Sequence, residues 1–282
     1  MQLSDLIRPA TEPQVLGTGY GFSEGPAADA DGNIYFSDGK NDAIHVYRAG
    51  QGVTRLEVDA TDPNGMIFNH QGELLMCEGA AYRVSAYNLQ TGIKRVLASE
   101  IDGVHFNEPN DLAVDFEGGV YFTDPNYSHR GQPTVMKEDV YYVDSAGQVT
   151  RVSTVCEKPN GILLSADGGT LYLADSRGQK IYRYSVLGPG RLSEEQLWLQ
   201  LDARPDGLTL DGHGNLYICC GQAGVKVYSA GRQALGVIAV PYASNACFGG
   251  ADFTTLFITS SDKFLGIQTN VRGILPPPLQ RR

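Results

Sequence analysis

Six segments of this chain share one register, and that repetition limits the fold more than any single motif does. EGPAADADG from Glu24, NGMIFNHQG from Asn64, NDLAVDFEG from Asn110, NGILLSADG from Asn160 and DGLTLDGHG from Asp206 each begin with Glu, Asn or Asp and reach a glycine eight residues on. NACFGGADF, from Asn245, follows the pattern more loosely. The starts are 40, 46, 50, 46 and 39 residues apart, the span of one propeller blade.

Each unit reads as a four-stranded blade. After every Asp/Gly turn stands a run rich in aromatic and β-branched residues, the composition of half-buried strands: IYFSD (34–38), LLMCE (74–78), VYFTD (120–124), TLYLAD (170–175), NLYICC (215–220) and TLFITS (255–260). Third strands follow, such as AIHVY (43–47) and DVYYV (139–143), then fourth strands such as IKRVLAS (93–99) and ALGVIAV (234–240). The sixth unit ends one strand short after FLGIQT (264–269), while QVLGTG (14–19) precedes the first unit unassigned. The early segment is therefore expected to complete the last blade and close the ring, removing an open sheet edge. The expectation is an all-β, six-bladed propeller forming a single domain over 1–282, with blades over about 20–270 and a Pro-rich tail at 274–282 outside them.

Composition narrows the function. A formal charge of −10 with 42% hydrophobic and 19% charged residues describes a chain that buries a core and lacks the basic face that nucleic acid or an anionic membrane requires. No apolar run approaches the roughly 20 residues of a membrane span, and MQLSDLIRPA is not a secretory leader. The chain is expected to be cytoplasmic unless a leader was trimmed, and a monomer or weak homo-oligomer, with no nucleic-acid or membrane partner. The five cysteines, at 77, 156, 219, 220 and 247, form no CxxC pair and read as small buried hydrophobes. The five histidines form no HxH or HxxxH pair, which argues against imidazole-held zinc. GxSxG is absent, which disfavours a serine hydrolase.

In a propeller the first strand of each blade lines the central channel, so Glu24, Asn64, Asn110, Asn160, Asp206 and Asn245 are expected to converge on one mouth. Asn, Asp and Gly are also ordinary turn formers, and one PNG alone is weak. Six polar residues at one register of a closed ring carry more weight. Carboxylate and amide oxygens gathered in this way suit a hard divalent cation, Ca²⁺ above all, with Mg²⁺, Mn²⁺ or Zn²⁺ as alternatives. Without one, Glu24 and Asp206 would repel each other and at least one pKa would rise. A cation beside an ester carbonyl stabilises the developing oxyanion, and Asp206 is placed to accept a proton from water or to attack directly.

At these residues the sequence resembles the SMP-30/gluconolactonase/LRE-like family. EGP (24–26), PND (109–111), FTDPNY (122–127), PNG (159–161) with LYLADS (171–176), PDG (205–207) and FGGAD (248–252) are similar to the family's motifs in order and spacing over about 20–270. The resemblance implies a six-bladed propeller with a divalent cation at its axis and hydrolysis of sugar or other lactones. It points to Glu24, Asn160 and Asp206 as metal ligands, with Asn110 as a fourth ligand or a substrate contact, and matches Asp206 to the base or nucleophile. Asn64 and Asn245 would line the cup.

Two irregular stretches, 100–109 and 124–138, are expected to overhang the mouth and select substrate. Tyr127, His105 and Glu108 are the candidate substrate contacts there, with His129 distinguished by the same location; Tyr127 packing on a blade is the competing reading. Many bacterial relatives have an arginine near 105 and a small residue at 108; the carboxylate of Glu108 would suit a different polyol lactone or an additional cation. The expected activity is a metal-dependent lactonase. A phosphotriesterase resembling diisopropylfluorophosphatase and a calcium-binding or protein-interaction propeller without turnover are the alternatives.

Overall fold

A computed structural model describes residues 1–127 and 137–280. Six antiparallel sheets form the blades, with strands in sequence order from the axis outward except in blade 6, whose outermost strand is N-terminal, and with a fifth strand in blade 4. Blade 1 runs through Ser23–Ala28, Ile34–Asp38, Ala43–Arg48 and Gly52–Leu56, and blade 2 through Pro63–Phe68, Leu74–Glu78, Arg83–Tyr87 and Lys94–Ala98. Blade 3 comprises Leu112–Val114, Val120–Asp124, Asp139–Val143 and Val149–Ser153, and blade 5 comprises Leu208–Leu210, Leu216–Cys219, Val225–Tyr228 and Ala234–Ile238. Blade 4, with Pro159–Leu164, Thr170–Asp175, Lys180–Gly188 and Gln196–Gln200, carries the additional strand Arg191–Leu192 on its elongated third strand. Blade 6 has Ala243–Gly249, Thr255–Ser260 and Lys263–Gln268, and its outer position is filled by Gln14–Thr18.

That outer strand closes the ring as the sequence implied. Gln14 pairs with Gly266 and Thr18 with Lys263, with a register shift between Val15 and Gly17. Phe264, on the neighbouring strand, stacks on Phe36 of blade 1 with centroids 4.3 Å apart and planes 8° from parallel. The apolar core is not central. It is divided into six clusters, one between each pair of adjacent blades, because the axis is occupied by the polar starts of the inner strands.

Several features lay outside the sequence reading. A short helix, Leu3–Leu6, packs Leu3 and Leu6 onto the core between blades 5 and 6. Residues 100–105, expected to be irregular, form a small hairpin from Glu100–Ile101 and Val104–His105. The tail lies outside the blades but not away from them, because it covers one end of the channel. Ile274 N donates to Leu210 O (3.1 Å), His70 Nδ1 lies 2.8 Å from Pro277 O, and Leu275 joins the core between blades 6 and 1. All five cysteines are free.

Candidate active site at the channel mouth

The local device that builds the site is a break in the inner strand. The ladder with the second strand shifts register between Glu24 and Ala27, between Pro63 and Met66, between Pro159 and Ile162, and between Ala243 and Asn245. In blades 3 and 5 the inner strand begins only after the polar residue, at Leu112 and Leu208. An irregularity of this kind re-aims a side chain out of the sheet's alternation, here toward the axis.

The recurrent glycine after that residue has a steric cause. A Cβ on Gly25, which sits at φ +50°, would lie 2.1 Å from the carbonyl oxygen of Asn64 in the next blade; one on Gly161 would lie 2.2 Å from that of Asp206. Gly65 meets Asn110 O at 2.5 Å and Gly207 meets the Asn245 side chain at 2.0 Å in the same way. Glycine therefore lets each polar residue approach the next around the ring.

A second repeated device holds the approach to each position. The acid ending the second strand of blades 1 to 4 accepts backbone N–H groups from the segment leading into the site. Asp38 Oδ1 takes Gly21 N (2.9 Å) and Phe22 N (3.1 Å), and Glu78 Oε1 takes Thr61 N (3.0 Å). Asp124 Oδ2 takes Asn107 N (2.8 Å), and Asp175 takes Glu157 N (3.1 Å) and Lys158 N (3.0 Å). Blade 5 ends in Cys219-Cys220 and uses backbone instead, Asp206 N donating to Cys219 O at 2.8 Å. These buried carboxylates were legible as the repeated SD, CE, TD and AD strand ends, of which the sequence singles out Asp124 in FTDPNY as a residue that could satisfy local backbone.

The result is a cavity of about 410 Å³ lined by Glu24, Asn64, Asn110, Asn160 and Asp206 together with Phe22, Tyr127, Ser176, Arg204, Cys220, Gly221 and Gln222. Its volume falls in the range of small-molecule sites. Glu24, Asn110 and Asn160 are buried, whereas Asp206 keeps part of its surface open. Asn160 Nδ2 donates to the Tyr127 hydroxyl at 2.6 Å, and its amide acts to lower Asp206.

Asn245 lies below this layer. It lines a separate, mainly apolar cavity of about 120 Å³ beneath the polar ring, closed on the far side by residues 274–277 and 280. Its Oδ1 accepts Ala246 N (2.8 Å), and its amide opposes the rise of both Glu24 and Asp111. Its oxygen is thus engaged, and the side chain serves the acids beside it.

Asp111 was not singled out by the sequence. It takes the place that glycine holds after the polar residue in four of the other blades, and its Oδ1 accepts Leu112 N at 2.9 Å. Burial pushes it up to about 7, against the lowering effect of the N–H groups of Leu112 and Ile162 and of Asn245. Burial and then the charge of Asp111 push Asp206 up to about 7, with the Asn160 bond opposing. Glu24 is raised well above the usual carboxylate range by burial first and by Asp206 second. Among the described residues no Lys, Arg or His nitrogen lies within 4 Å of these three acids. Nor do three His, Cys, Asp or Glu side chains form a metal-holding cluster. A cation here would rest on two carboxylates and amide oxygens, an all-oxygen set that fits a hard ion.

Tyr127 is on the cavity wall. Its ring lies 4.7 Å from Lys158 Nζ, and that ammonium also donates to Asn126 O (2.6 Å) and pairs with Glu138 (2.7 Å). Burial raises the phenol far above its ordinary range, with Asp206 adding to the effect. Glu108 is buried and accepts the Tyr127 N–H through Oε2, so it fastens the loop without lining the cavity. His105 does not line it either. Its ring packs on Tyr82 with centroids 4.3 Å apart, and Nδ1 lies 2.6 Å from Phe106 O, because the 100–105 hairpin turns it away. His129 falls outside the described residues.

Comparison with known proteins agrees with the blade count and the motif series. Residues 22–262 match the SMP-30/Gluconolactonase/LRE-like region, and the chain belongs to that family. It is 26% identical over 306 residues to a gluconolactonase of Zymomonas mobilis, covering 96% of this chain and 85% of that one. It is 26% identical over 262 residues to the pentonolactonase XacC of Haloferax volcanii, covering 89% and 85%. A solved gluconolactonase from Xanthomonas campestris superposes with a TM-score of 0.86 at 28% identity, covering 95% and 92%.

Proposed function

We propose that this protein is a divalent-cation-dependent hydrolase that opens a lactone, in particular a sugar lactone, to its hydroxy acid. The observation that carries the reading is the meeting of Glu24, raised by burial and the charge of Asp206, and Asp206, raised by burial and the charge of Asp111, with amides of neighbouring blades on one cavity. Such a pair is costly unless a cation compensates it. Relatives named gluconolactonase and pentonolactonase, aligned over most of their length, supply the substrate class.

In this reading Glu24, Asn160 and Asp206 hold the ion, Asn110 is the fourth protein ligand, and Ca²⁺ suits the oxygen set best. The ion supplies charge stabilisation to the lactone carbonyl oxygen as it becomes an oxyanion. Asp206, more open to the cavity than the buried Glu24, receives the proton of the attacking water; direct attack by the carboxylate is the other route. Single turnover in ¹⁸O-water separates them, because only the second leaves label on Asp206. Tyr127, kept protonated, donates to a lactone hydroxyl while Asn160 anchors its oxygen.

The test is a lactone panel assayed after chelation and again after adding back Ca²⁺, Mg²⁺, Mn²⁺ or Zn²⁺. Activity should fall with chelator and return with calcium. Hydrolysis by fully metal-stripped protein, or undiminished hydrolysis by Asp206→Asn, overturns the reading.

A further inference from the structure

The cavity is chemically two-sided. Its floor carries the side chains of Glu24, Asn110, Asn160 and Asp206, while the blade-5 rim presents Arg204 and Gln222, both exposed. Arg204 immediately precedes Pro205, whose ring fixes the backbone there. Asp206 N and Gly207 N are tied to Cys219 O (2.8 Å) and Ser244 O (2.9 Å), so the base of the Arg204 side chain is held at the mouth.

Its charge is not consumed locally. Among the described residues no carboxylate lies within 4 Å of the guanidinium, and it makes no hydrogen bond to them. The nearby Lys158 differs, since it is buried and spent on Glu138 and Asn126 O. Among the described residues, Arg204 is therefore the one cationic side chain lining the cavity, on a wall made mostly of acids, amides and aromatics, in a protein of net charge −10.

We infer that Arg204, assisted by the Gln222 amide, forms an anion-recognising end of the cavity, and that the preferred substrate is a lactone bearing a second, anionic group. This rests on the lactonase reading. With the ester carbonyl on the floor, a carboxylate or phosphate elsewhere on the substrate reaches the rim, where a guanidinium offers paired, charge-assisted donors. A neutral polyol lactone gains much less from the same group. The far field of an acidic protein repels an anion, so the local cation decides whether such a substrate is accepted.

The experiment compares D-glucono-1,5-lactone, D-glucaro-1,4-lactone and 6-phosphoglucono-1,5-lactone as substrates of wild type, Arg204→Met and Arg204→Lys. In parallel, the product acids gluconate and glucarate are titrated calorimetrically in calcium buffer. Wild type should favour the ligands with the additional anionic group, glucarolactone or the phospholactone over gluconolactone and glucarate over gluconate, by about tenfold to a hundredfold, the scale of a hydrogen bond to a charged group. The preference should collapse in Arg204→Met, remain in part in Arg204→Lys, and shrink with added salt. Whether the carboxylate or the phosphate ligand is favoured identifies the anion. No preference in kinetics or titration, or one indifferent to Arg204→Met in a variant of unchanged Tm, overturns the inference while leaving lactone hydrolysis standing. If no lactone turns over but the glucarate preference still depends on Arg204, the lactonase reading fails and the anion site stands.

Discussion

A Cβ on Gly161 would fall 2.2 Å from the carbonyl oxygen of Asp206 and 3.0 Å from Leu208 Cγ. The backbone oxygen cannot move without moving the residue that carries the proposed chemistry. Gly161→Ala should therefore destabilise the protein by about 1–3 kcal/mol, the usual scale of overpacking. It should also lower kcat/KM by up to about a hundredfold, the cost of an ångström of misplacement. Gly231→Ala, where the nearest atom is 3.7 Å away, is the control. Equal Tm and activity for the two variants would remove the steric account of the recurring Asn-Gly and Asp-Gly pairs.

The acids of the cavity set a pH dependence with a definite sign. Asp206 is raised to about 7 and Glu24 is raised as well. In chelator-treated protein the contribution of Asp206 therefore favours the fold most below about pH 4 and declines as pH rises through about 7, and Glu24 acts in the same sense. A cation that binds the ionised pair should give a Tm increment that grows between pH 5 and pH 8, with protons released on binding below pH 7. Asp206→Asn should raise the chelated protein's Tm at pH 8 and abolish the calcium increment. Thermal scans and calorimetry in buffers of differing ionisation enthalpy read both; a calcium increment that shrinks with rising pH would contradict the arrangement.

Blade count, strand order and ring closure were legible because each second strand is a run of aromatic and β-branched residues behind an Asp/Gly turn. VYFTD and IYFSD appear with the bounds the sequence implied. The convergence of Glu24, Asn110, Asn160 and Asp206 followed from register alone, since equivalent positions of a closed ring share an axis. Side-chain direction did not follow. His105 lay within a stretch expected to overhang the mouth, yet two hydrogen-bonded residue pairs make a hairpin there and aromatic packing on Tyr82 aims the ring elsewhere. Asp111 was hidden because an Asn-Asp pair after proline reads as turn chemistry, and only the close approach of neighbouring blades reveals that glycine is the rule at its position. Arg204 was hidden for the opposite reason: one exposed arginine carries no pattern until the cavity is seen.

The tail provides a test at the far end of the channel. Ile274 N bonds Leu210 O, His70 holds Pro277 O, and residues 274–277 and 280 line the small apolar cavity below the acids. Ending the chain at Gly273 should lower stability by a few kcal/mol, given about 1.5–3 kcal/mol for each aliphatic side chain fully buried and less for these half-buried ones. Urea denaturation measures the loss. A chain ending at Gly273 that matches the full protein in stability would mean the segment only rests on the blades.

Ring closure can be tested within one strand because Val15 and Leu16 of Gln14–Thr18 differ in burial. Leu16 packs into the core between blades 6 and 1 beside Gly266, whereas Val15 is 55% exposed. Leu16→Asp would place a carboxylate in that seam and should cost about 2–5 kcal/mol. It should also loosen the strand that covers Lys263–Gln268, leaving a row of unpaired N–H and C=O groups that recruits other chains. Val15→Asp should stay within about 0.5 kcal/mol of wild type, as surface substitutions do. Thermal melts and light scattering after size exclusion distinguish the two: Leu16→Asp should melt lower and self-associate, while Val15→Asp should do neither. Identical behaviour of both variants would mean that this strand's register, and with it the closure of the ring through the N-terminal segment, is not what stabilises the blade-6 edge.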